Sequence, residues 1–304
     1  MEDIEQIRQA SRQLVRELHL LDGRYCIEGF TFSECHVITE LHARGRATAS
    51  ELADALVLEK STVSRLVKGL TRNGFLHGRP DPKDRRRHWL SLTARGRRGA
   101  EKIHWHARRQ VRAALDFVPA GEVPELVSGL ARYASGMRYA RLSAGYLIRA
   151  ISPADDVQVA GIIRRVMTDY GAVGCGYSIQ DPEVDAMSAS YPPPNARFWV
   201  IERSGEVLGC GGFGPLSGGP ADTCELRKMY FLPALRGLGL GTRLLKLCLD
   251  EARAAGYRQM YLETLESMHD ARRLYRKHGF EDRDAPLGCT GHTGCNAWMT
   301  RALI

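Results

Sequence analysis

The stretch RGLGLGTRLLKLCLDEARAAG, residues 236–256, decides how the second half of the chain folds. Gly237, Gly239 and Gly241 come directly before a run with the apolar spacing of a helix, so the pattern predicts a glycine-rich turn that opens a helix. Backbone N–H groups at a helix N-terminus bind phosphate, and glycines let a pyrophosphate approach the backbone closely. Several nucleotide-binding folds share such a turn. Thr242 follows Gly241 directly, so the lysine of a Walker motif is missing.

The elements around this turn alternate between strands and helices. The predicted strands cover 146–151, 197–202, 206–213, 224–232 and 257–264, and the predicted helices cover about 153–170, 242–256 and 271–279. The glycine-rich turn comes late in this order, after a predicted hairpin, whereas a Rossmann fingerprint lies in the first strand–helix unit of its domain. The second half of the chain is therefore predicted to be an α/β (α+β) domain of another kind.

Two motifs at this spacing resemble the GNAT acetyltransferase superfamily. They read Arg236-x-x-Gly239-x-Gly241 and Ala271-x-x-Leu274-Tyr275-x-x-x-Gly279-Phe280. The resemblance covers roughly residues 146–304 and implies an N-acetyltransferase domain that uses acetyl-CoA as co-substrate and a small amine as acceptor. One position departs from the superfamily, which often has Asn seven residues before this tyrosine, where this chain has Met268.

The resemblance also implies roles for individual residues. The pyrophosphate is expected on the backbone of residues 236–242 and the pantetheine arm on the strand edge before them. The implied cofactor-binding residues are Met229, Tyr230, Phe231, Arg236, Gly237, Leu238, Gly239, Leu240, Gly241 and Thr242. Tyr275 is expected to be the general acid that protonates the leaving thiolate, with a packing aromatic as the alternative. Glu225 is the candidate base, and an ion pair with Arg227 or Lys228 is its alternative.

The cysteines and the N-terminus bear on compartment and metal content. Eight cysteines are scattered without a CxxC pair, and the first residues lack the apolar core of a signal peptide, so we expect reduced thiols in a cytoplasmic protein without a membrane partner. The tightest cluster is Cys289-x-x-His292-x-x-Cys295. Structural zinc needs four ligands and no second cluster supplies the others, so no metal is predicted. His292 is expected to be an ordinary turn residue rather than a substrate contact.

The net charge of +8 lies in the first half of the chain. Residues 1–145 hold 25 basic and 17 acidic side chains, whereas residues 146–304 hold 18 of each. Such asymmetry indicates a basic domain that faces a polyanion, joined to a neutral domain with another task. A basic surface without a partner is the alternative.

The first half has the pattern of a helix-turn-helix followed by a basic hairpin. Residues 51–75, ELADALVLEKSTVSRLVKGLTRNGF, predict two short helices, and Thr31 and Thr48 each begin a capping box before a helix. Residues 81–96, DPKDRRRHWLSLTARG, predict a hairpin with an arginine-rich tip, which suits the narrow minor groove of DNA. Two long helices are predicted after the hairpin, up to about residue 142.

These two segments resemble the MarR family of winged-helix regulators over roughly residues 1–142. The resemblance implies a homodimer that binds a double-stranded DNA operator, with a recognition helix in the major groove and an arginine wing in the minor groove. The implied DNA-binding residues are Ser61, Thr62, Ser64, Arg65 and Lys68 on the helix, and Arg85, Arg86 and Arg87 on the wing.

The whole chain is thus predicted to have two domains. Residues 1–142 form a mainly α, MarR-like winged helix-turn-helix domain for DNA binding and dimerisation, and residues 146–304 form a GNAT-like acetyltransferase domain. One alternative is a regulator whose second domain senses acetyl-CoA or a metabolite without catalysis. The other is an enzyme whose first domain only dimerises, against which the arginines at 85–87 argue.

Overall fold

The computed structural model describes residues 2–21, 26–27, 29–84 and 86–303. Within these ranges, no helix is long and apolar enough to span a membrane. The chain divides into two compact units, Met1–Val127 and Ser128–Ile304. This division falls inside the helix that we expected to close the first domain, so residues 128–142 group with the second unit and not with the first.

The first unit is mainly helical and has two small antiparallel hairpins. Its elements are α1 (Glu2–Glu17), β1 (Cys26–Ile27), β2 (Phe30–Thr31), α2 (Phe32–Arg44), α3 (Ala49–Leu56), α4 (Lys60–Arg72), β3 (Leu76–Pro80), β4 (His88–Leu92), α5 (Ala94–Leu115) and α6 (Val123–Leu142), the last of which runs past the division. Both predicted capping boxes are confirmed, because Thr31 and Thr48 each accept the backbone N–H of a glutamate three residues on, Glu34 and Glu51.

The core of the first unit fixes which face of α4 is exposed. Val63 and Leu70 of α4 are buried against α2, α3 and the β3–β4 hairpin, and Leu66 and Val67 pack partly into the same core. These four positions form the apolar stripe expected from their helical spacing. The opposite, polar and basic face of α4 therefore points to solvent.

The second unit is a seven-stranded sheet with helices on both faces. Its remaining elements are β5 (Leu147–Ala150), α7 (Asp156–Asp169), α8 (Met187–Ser190), β6 (Arg197–Arg203), β7 (Glu206–Pro215), β8 (Thr223–Phe231), α9 (Leu240–Ala254), β9 (Gln259–Thr264), α10 (His269–Lys277), β10 (Glu281–Arg283) and β11 (Ala297–Ala302). The strand order is β10-β11-β9-β8-β7-β6-β5, antiparallel except for the β8–β9 pair. The predicted fold class, winged helix-turn-helix followed by an α/β domain, is confirmed.

Alternation along β6 separates the two cores of this unit. Phe198 and Val200 pack with α7 in one core, whereas Trp199 and Ile201 pack with α9 in the other. Successive side chains of a strand point to opposite faces of its sheet, so α7 and α9 cover opposite faces. The predicted hairpin of β6 and β7 is also confirmed: Ser204 and Gly205 form its two-residue turn, and both have positive φ.

An ion-pair network ties the edge strand β5 to the start of α7. The guanidinium of Arg149 lies 2.7 Å from Asp155 and 2.7 Å from Glu202. The Asp155 side chain is only 5% exposed, and its hydrogen bonds from Arg149 and Ser152 lower its pKa to about 2. The network therefore offsets the cost of burying the negative charge of Asp155.

We predict that Arg149→Met lowers the free energy of unfolding by on the order of 3 kcal/mol, because it leaves the Asp155 charge without its partner. Urea unfolding at pH 7 measures this. Because the native pKa of Asp155 is lowered, its contribution is present above its ordinary pKa and is lost as pH falls from about 4 towards 2. The difference between the two proteins should shrink over that range.

The matched control is Arg164→Met, which removes the exposed pair between Arg164 and Asp185. Exposed pairs contribute at most about 1 kcal/mol, so this variant should remain close to wild type. Equal losses in both variants would contradict the assignment of Arg149 as the compensating cation.

Candidate active site and nucleic-acid interface

The site of the second unit begins where two neighbouring parallel strands separate. β8 pairs with β9 from Thr223–Gln259 to Glu225–Tyr261, where the pairing ends, while β8 continues to Phe231 alongside β7. The N–H of Leu232 donates to Leu208 on β7, so by alternation the N–H of Phe231 is directed towards the opening between β8 and β9. The separation thus exposes a strand edge inside the sheet.

A bulge in β8 lies at this opening. Cys210 and Gly212 of β7 face Tyr230 and Arg227 of β8, so β8 carries one extra residue between its two partners. Lys228, inside the bulge, has φ 51°, a left-handed conformation that non-glycine residues seldom adopt. Such a bulge bends its strand and increases the local twist, which here accompanies the separation of β8 from β9.

A large cavity of about 470 Å³ occupies the opening and extends to the glycine-rich turn. Its lining includes eight of the ten implied cofactor-binding residues: Met229, Tyr230, Phe231, Arg236, Gly237, Gly239, Gly241 and Thr242. The other two, Leu238 and Leu240, pack into the core beneath α9. The cavity therefore joins the strand edge to the N-terminus of α9.

A small cavity of about 60 Å³ lies next to the large one. Five residues line both: Met229, Tyr230, Met268, Ala271 and Tyr275. The small cavity is lined in addition by charged side chains, among them Glu225, Glu263 and His292. An apolar and phenolic boundary therefore separates the glycine-rich turn from a charged compartment.

Tyr275 of α10 lies on this shared boundary. It is 6% exposed and packs against Phe280, with ring centroids 5.7 Å apart. Burial raises the pKa of its phenol well above the ordinary value, so the hydroxyl keeps its proton at neutral pH. Tyr275 therefore packs as an aromatic residue and also lines both cavities, and its role as general acid stays a prediction.

Glu225, on β8 where the strands part, is 4% exposed. Its Oε2 lies 2.6 Å from Nε of Arg227, so one ion pair proposed from sequence is present. Lys228 instead contacts Asp181 and Glu183, both at 2.6 Å. Burial raises the pKa of Glu225, and Arg227 offsets only part of that effect. A carboxylate with a raised pKa is a better proton acceptor than an ordinary one.

The sequence did not predict that the side chain of His292 is part of the site. Rather than occupying an ordinary turn, its ring lines the small cavity, with Nε2 3.1 Å from Asp181 and Nδ1 3.5 Å from Glu263. These two carboxylates raise the pKa of His292 to about 9. Glu263 also accepts hydrogen bonds from Tyr261 and Thr290. No motif marks Asp181 or Glu263, so only the folded chain brings them together.

The Cys289/His292/Cys295 cluster of the sequence does not act as a unit. Cys289 is exposed, whereas Cys295 lines the small cavity and burial raises the pKa of its thiol to about 12. The ligand atoms of Glu225, Glu263 and His292 lie within 4.8 Å of one another, a spacing that a metal ion also requires. The expected absence of a metal remains a prediction.

Met268 stands at the position where the superfamily often has Asn. It caps α10, lines both cavities and accepts a hydrogen bond at its sulfur from the hydroxyl of Thr264, 3.5 Å away. A thioether therefore replaces an amide at the boundary, and it offers a bound molecule only a weak acceptor and no donor.

The first unit presents its candidate nucleic-acid residues on α4 and on the β3–β4 hairpin. On α4, the exposed side chains are Ser61, Ser64, Arg65 and Lys68, and the partly exposed one is Thr62, which accepts a hydrogen bond from Arg65. They lie opposite the buried stripe of this helix. The helix therefore offers one continuous polar and basic face.

The hairpin tip is shaped by aspartates. The carboxylate of Asp81 accepts hydrogen bonds from the backbone of Lys83 and from the indole of Trp89, and Arg86 at the tip has a side chain that is 93% exposed. Arg86 pairs only with Asp84 of the same hairpin, whereas Arg87 pairs with Glu51 of α3, lies over the Trp89 ring and is less exposed. The third predicted wing residue, Arg85, is outside the described residues.

Comparisons with known proteins agree with this division of the chain. A family model described as Acetyltransferase (GNAT) family matches residues 165–280, and a MarR family model matches residues 28–87. The uncharacterized N-acetyltransferase YjgM of Escherichia coli is 42% identical over 158 residues, which cover 52% of this chain and 95% of that protein. The uncharacterized HTH-type transcriptional regulator YkoM of Bacillus subtilis is 36% identical over 92 residues, which cover 30% and 60% of the two chains.

Among solved structures, that of yncA from Salmonella typhimurium with its cofactor acetyl-CoA is 24% identical with a TM-score of 0.43, over 53% of this chain and 95% of that one. The high coverage of the Escherichia coli relative, together with the family match on the same residues, establishes the family. The chain belongs to the GNAT family of acetyltransferases, and its residues 28–87, ahead of the acetyltransferase domain, are similar to the MarR family.

Proposed function

We propose that this chain is a DNA-binding transcriptional regulator fused to an enzyme that transfers an acetyl group from acetyl-CoA to the amine of a small acceptor. The observation that carries the proposal is the contact of the two cavities at Tyr275, with the glycine-rich turn on one side and buried carboxylates on the other. The proposed place of action of the protein is the cytoplasm, a reducing compartment in which its scattered cysteines remain thiols.

The residues of the large cavity fit acetyl-CoA. Gly239 has φ 78°, and a Cβ there would lie 2.7 Å from the ring of Tyr139, in the part of α6 that groups with this unit. Glycine therefore avoids both the backbone strain and the crowding that a side chain would cause at the start of α9, where free backbone N–H groups can bind a pyrophosphate. Arg236 adds a cation to the same turn, and the edge of β8 offers backbone groups to an amide-bearing arm. When bound, acetyl-CoA supplies an activated acetyl thioester.

Different groups of the protein carry out different steps of the proposed reaction. Glu225 accepts the proton of the acceptor amine, directly or through a water, so that the neutral nitrogen attacks the acetyl carbon. Backbone N–H groups on the open edge of β8 polarise the thioester carbonyl. Tyr275 then donates its proton to the departing sulfur; its raised pKa keeps the hydroxyl protonated at neutral pH until the thiolate forms as the acceptor.

A second candidate is a regulator whose acetyltransferase domain senses acetyl-CoA without catalysis. Met268, in place of the usual Asn, favours it. The protonated Tyr275 and the buried Glu225 beside the same boundary disfavour it, because a sensor has no need of an acid and a base on either side of a bound thioester. Incubation with labelled acetyl-CoA and a panel of amines separates the two: labelled acetyl-amines support the enzyme, and acetyl-CoA binding without any product supports the sensor.

The first unit is proposed to bind a double-stranded operator as a homodimer. α4 enters the major groove with its exposed face, and Arg86 at the hairpin tip reaches the minor groove. Ile4, Ile7 and Leu14 of α1 are exposed, and this helix has no buried residue, so its apolar side chains are available to a second copy. The exposure of Arg86 supports DNA binding over a purely dimerising role.

Gly239→Ala should raise the dissociation constant for acetyl-CoA at least about tenfold, because alanine at φ 78° is strained and its Cβ meets Tyr139. The matched control is Gly256→Ala at the other end of α9, which also has a positive φ but lines neither cavity and has nothing within 4 Å of a Cβ. Isothermal titration calorimetry compares them. Equal affinities in the two variants would contradict the placement of the pyrophosphate on this turn.

Tyr275→Phe should lower turnover on the order of 100-fold, because it removes the proton donor while keeping the ring. Acetyl-CoA affinity should remain within a few-fold, since the interaction exists mainly in the transition state. Steady-state kinetics on an amine that the wild type acetylates provides the test. Near-normal turnover would mean that water or another group supplies the proton.

Arg86→Ala, and more strongly the triple replacement of Arg85, Arg86 and Arg87, should weaken binding to DNA from upstream of the protein's own coding region. Each lost phosphate or groove contact should flatten the salt dependence of binding by about one unit. Fluorescence anisotropy across a salt series measures this, with acetyl-CoA affinity as the control that should not change. Unchanged DNA affinity in the triple variant would reject the wing assignment.

A further inference from the structure

The acceptor of the proposed acetyl transfer is not identified by any motif, but the small cavity constrains its chemistry. This cavity shares Tyr275 and four other residues with the large cavity, while the glycine-rich turn lines only the large one. An acceptor nitrogen that meets a thioester near Tyr275 therefore approaches from the charged side. The chemistry of the acceptor amine that can enter from this charged side is inferred below, and it rests on the proposed acetyl transfer.

The charged side chains in and beside the small cavity form two sets of ion pairs. Glu225 pairs with Arg227, and the second set consists of Asp181, Glu183, Lys228, Glu263 and His292. Asp181 and Glu183 do not line the cavity but pair with Lys228, which does. The two sets meet where ligand atoms of Glu225, Glu263 and His292 lie within 4.8 Å of one another, and together they are called the charged network. With His292 protonated, the network holds one more negative charge than positive charges, and with His292 neutral it holds two more. A cation is therefore the favoured guest in either state.

The two permanent cations of the network are already used by the protein. Lys228 has a side chain 2% exposed and contacts two carboxylates at 2.6 Å. Arg227 pairs with Glu225 and also donates to the carbonyl of Pro215 at 2.6 Å. An acceptor that carried a carboxylate beside its amine would bring that charge next to Glu225 and Glu263 without gaining a free cation.

The size of the small cavity limits the shape of the acceptor's reactive end. Its volume of about 60 Å³ is far below the roughly 300–1,000 Å³ of pockets that enclose whole drug-sized ligands. It accommodates an ammonium group on an unbranched stem, and the rest of the acceptor stays outside. Met268, Ala271 and Tyr230 supply the apolar wall that such a stem needs.

We propose that the small cavity is the acceptor subsite, and that it selects a primary alkylamine bound as its ammonium cation, unbranched at the amine end and without a carboxylate next to the nitrogen. Glu225 and Glu263 bind the cation. His292 modulates this binding, because its own proton is held by the same network. Proton transfer to Glu225 then releases the neutral amine for attack.

Competition between the ammonium and the His292 proton gives the subsite a pH signature. The groups that face the ring are Asp181 from the loop before α8, Glu225 and Lys228 from β8, Glu263 from β9, and Cys295 from its own loop. The two partner carboxylates keep His292 charged below a pKa of about 9. Affinity for the ammonium should therefore increase as pH rises from 7 to 9, and binding at pH 7 should release protons.

The first test needs no variant and no turnover. n-Butylamine is titrated into the full chain loaded with coenzyme A, at pH 7 to 9, in two buffers of different ionisation enthalpy. We expect binding that tightens with pH, with proton release at pH 7, and no binding of sec-butylamine. Absence of butylamine binding, or binding that weakens between pH 7 and 9, would overturn the proposal.

Two variants assign the effect to residues. Glu263→Gln removes one carboxylate and should weaken butylamine binding roughly tenfold, and His292→Asn should keep binding but abolish proton release. Asp185→Asn, an exposed carboxylate paired with Arg164 outside the cavity, is the matched control and should behave as wild type. If Glu263→Gln does not fold, the His292→Asn comparison still decides, because unchanged proton release in that variant contradicts the role of His292.

A kinetic comparison separates this inference from the proposed function. Glycinamide and glycine differ in the charge next to the amine, and we expect glycinamide to have a kcat/KM at least about tenfold higher. Acetyl transfer with equal rates for the two would reject the subsite and leave the enzyme intact. Butylamine binding without transfer to any amine would reject the enzyme and leave the subsite intact. One equivalent of zinc that copurifies with the wild type and is lost in His292→Asn would reject the subsite as an amine site.

Discussion

The separation of β8 from β9 after Glu225 and Tyr261 is the constraint on which the site depends. A parallel pair that stayed hydrogen-bonded to its ends would fill the sheet and leave no backbone edge for a cofactor. Because β8 bulges at Lys228 and remains paired with β7, its edge on the other side opens next to the N-terminus of α9. The large cavity, the small cavity and Tyr275 between them all follow from this opening.

Buried ion pairs stabilise the segments that surround the opening between β8 and β9. Lys228 is almost completely removed from water, so it requires partners, and it finds Asp181 and Glu183 on the segment that precedes α8. His292 links the same Asp181 to Glu263 on β9. The bulge on β8, the segment before α8 and the loop before β11 thus meet in one group of ion pairs, which holds these three segments together on the charged side of the site.

The features predicted from sequence are those determined by neighbouring residues. The capping boxes at Thr31 and Thr48, the hairpin turn after β6 and the glycine-rich turn before α9 each depend on a few adjacent positions, and their motifs state them directly. The network of Asp181, Glu263 and His292 was not predicted, because its members come from three segments far apart in the chain and none lies in a motif. For the same reason the sequence did not indicate that Arg87 pairs with Glu51, or that the last part of α6 groups with the second unit.

The central claim is that acetyl-CoA binds along the open edge of β8 and over the glycine-rich turn. Hydrogen–deuterium exchange of the full chain, with and without saturating acetyl-CoA, measures it at the backbone groups themselves. The account predicts slower exchange in peptides that cover 229–231 and 236–242, with little change in 60–72 of the first unit. Protection confined to other segments, or none at these two despite measurable acetyl-CoA binding, would contradict it.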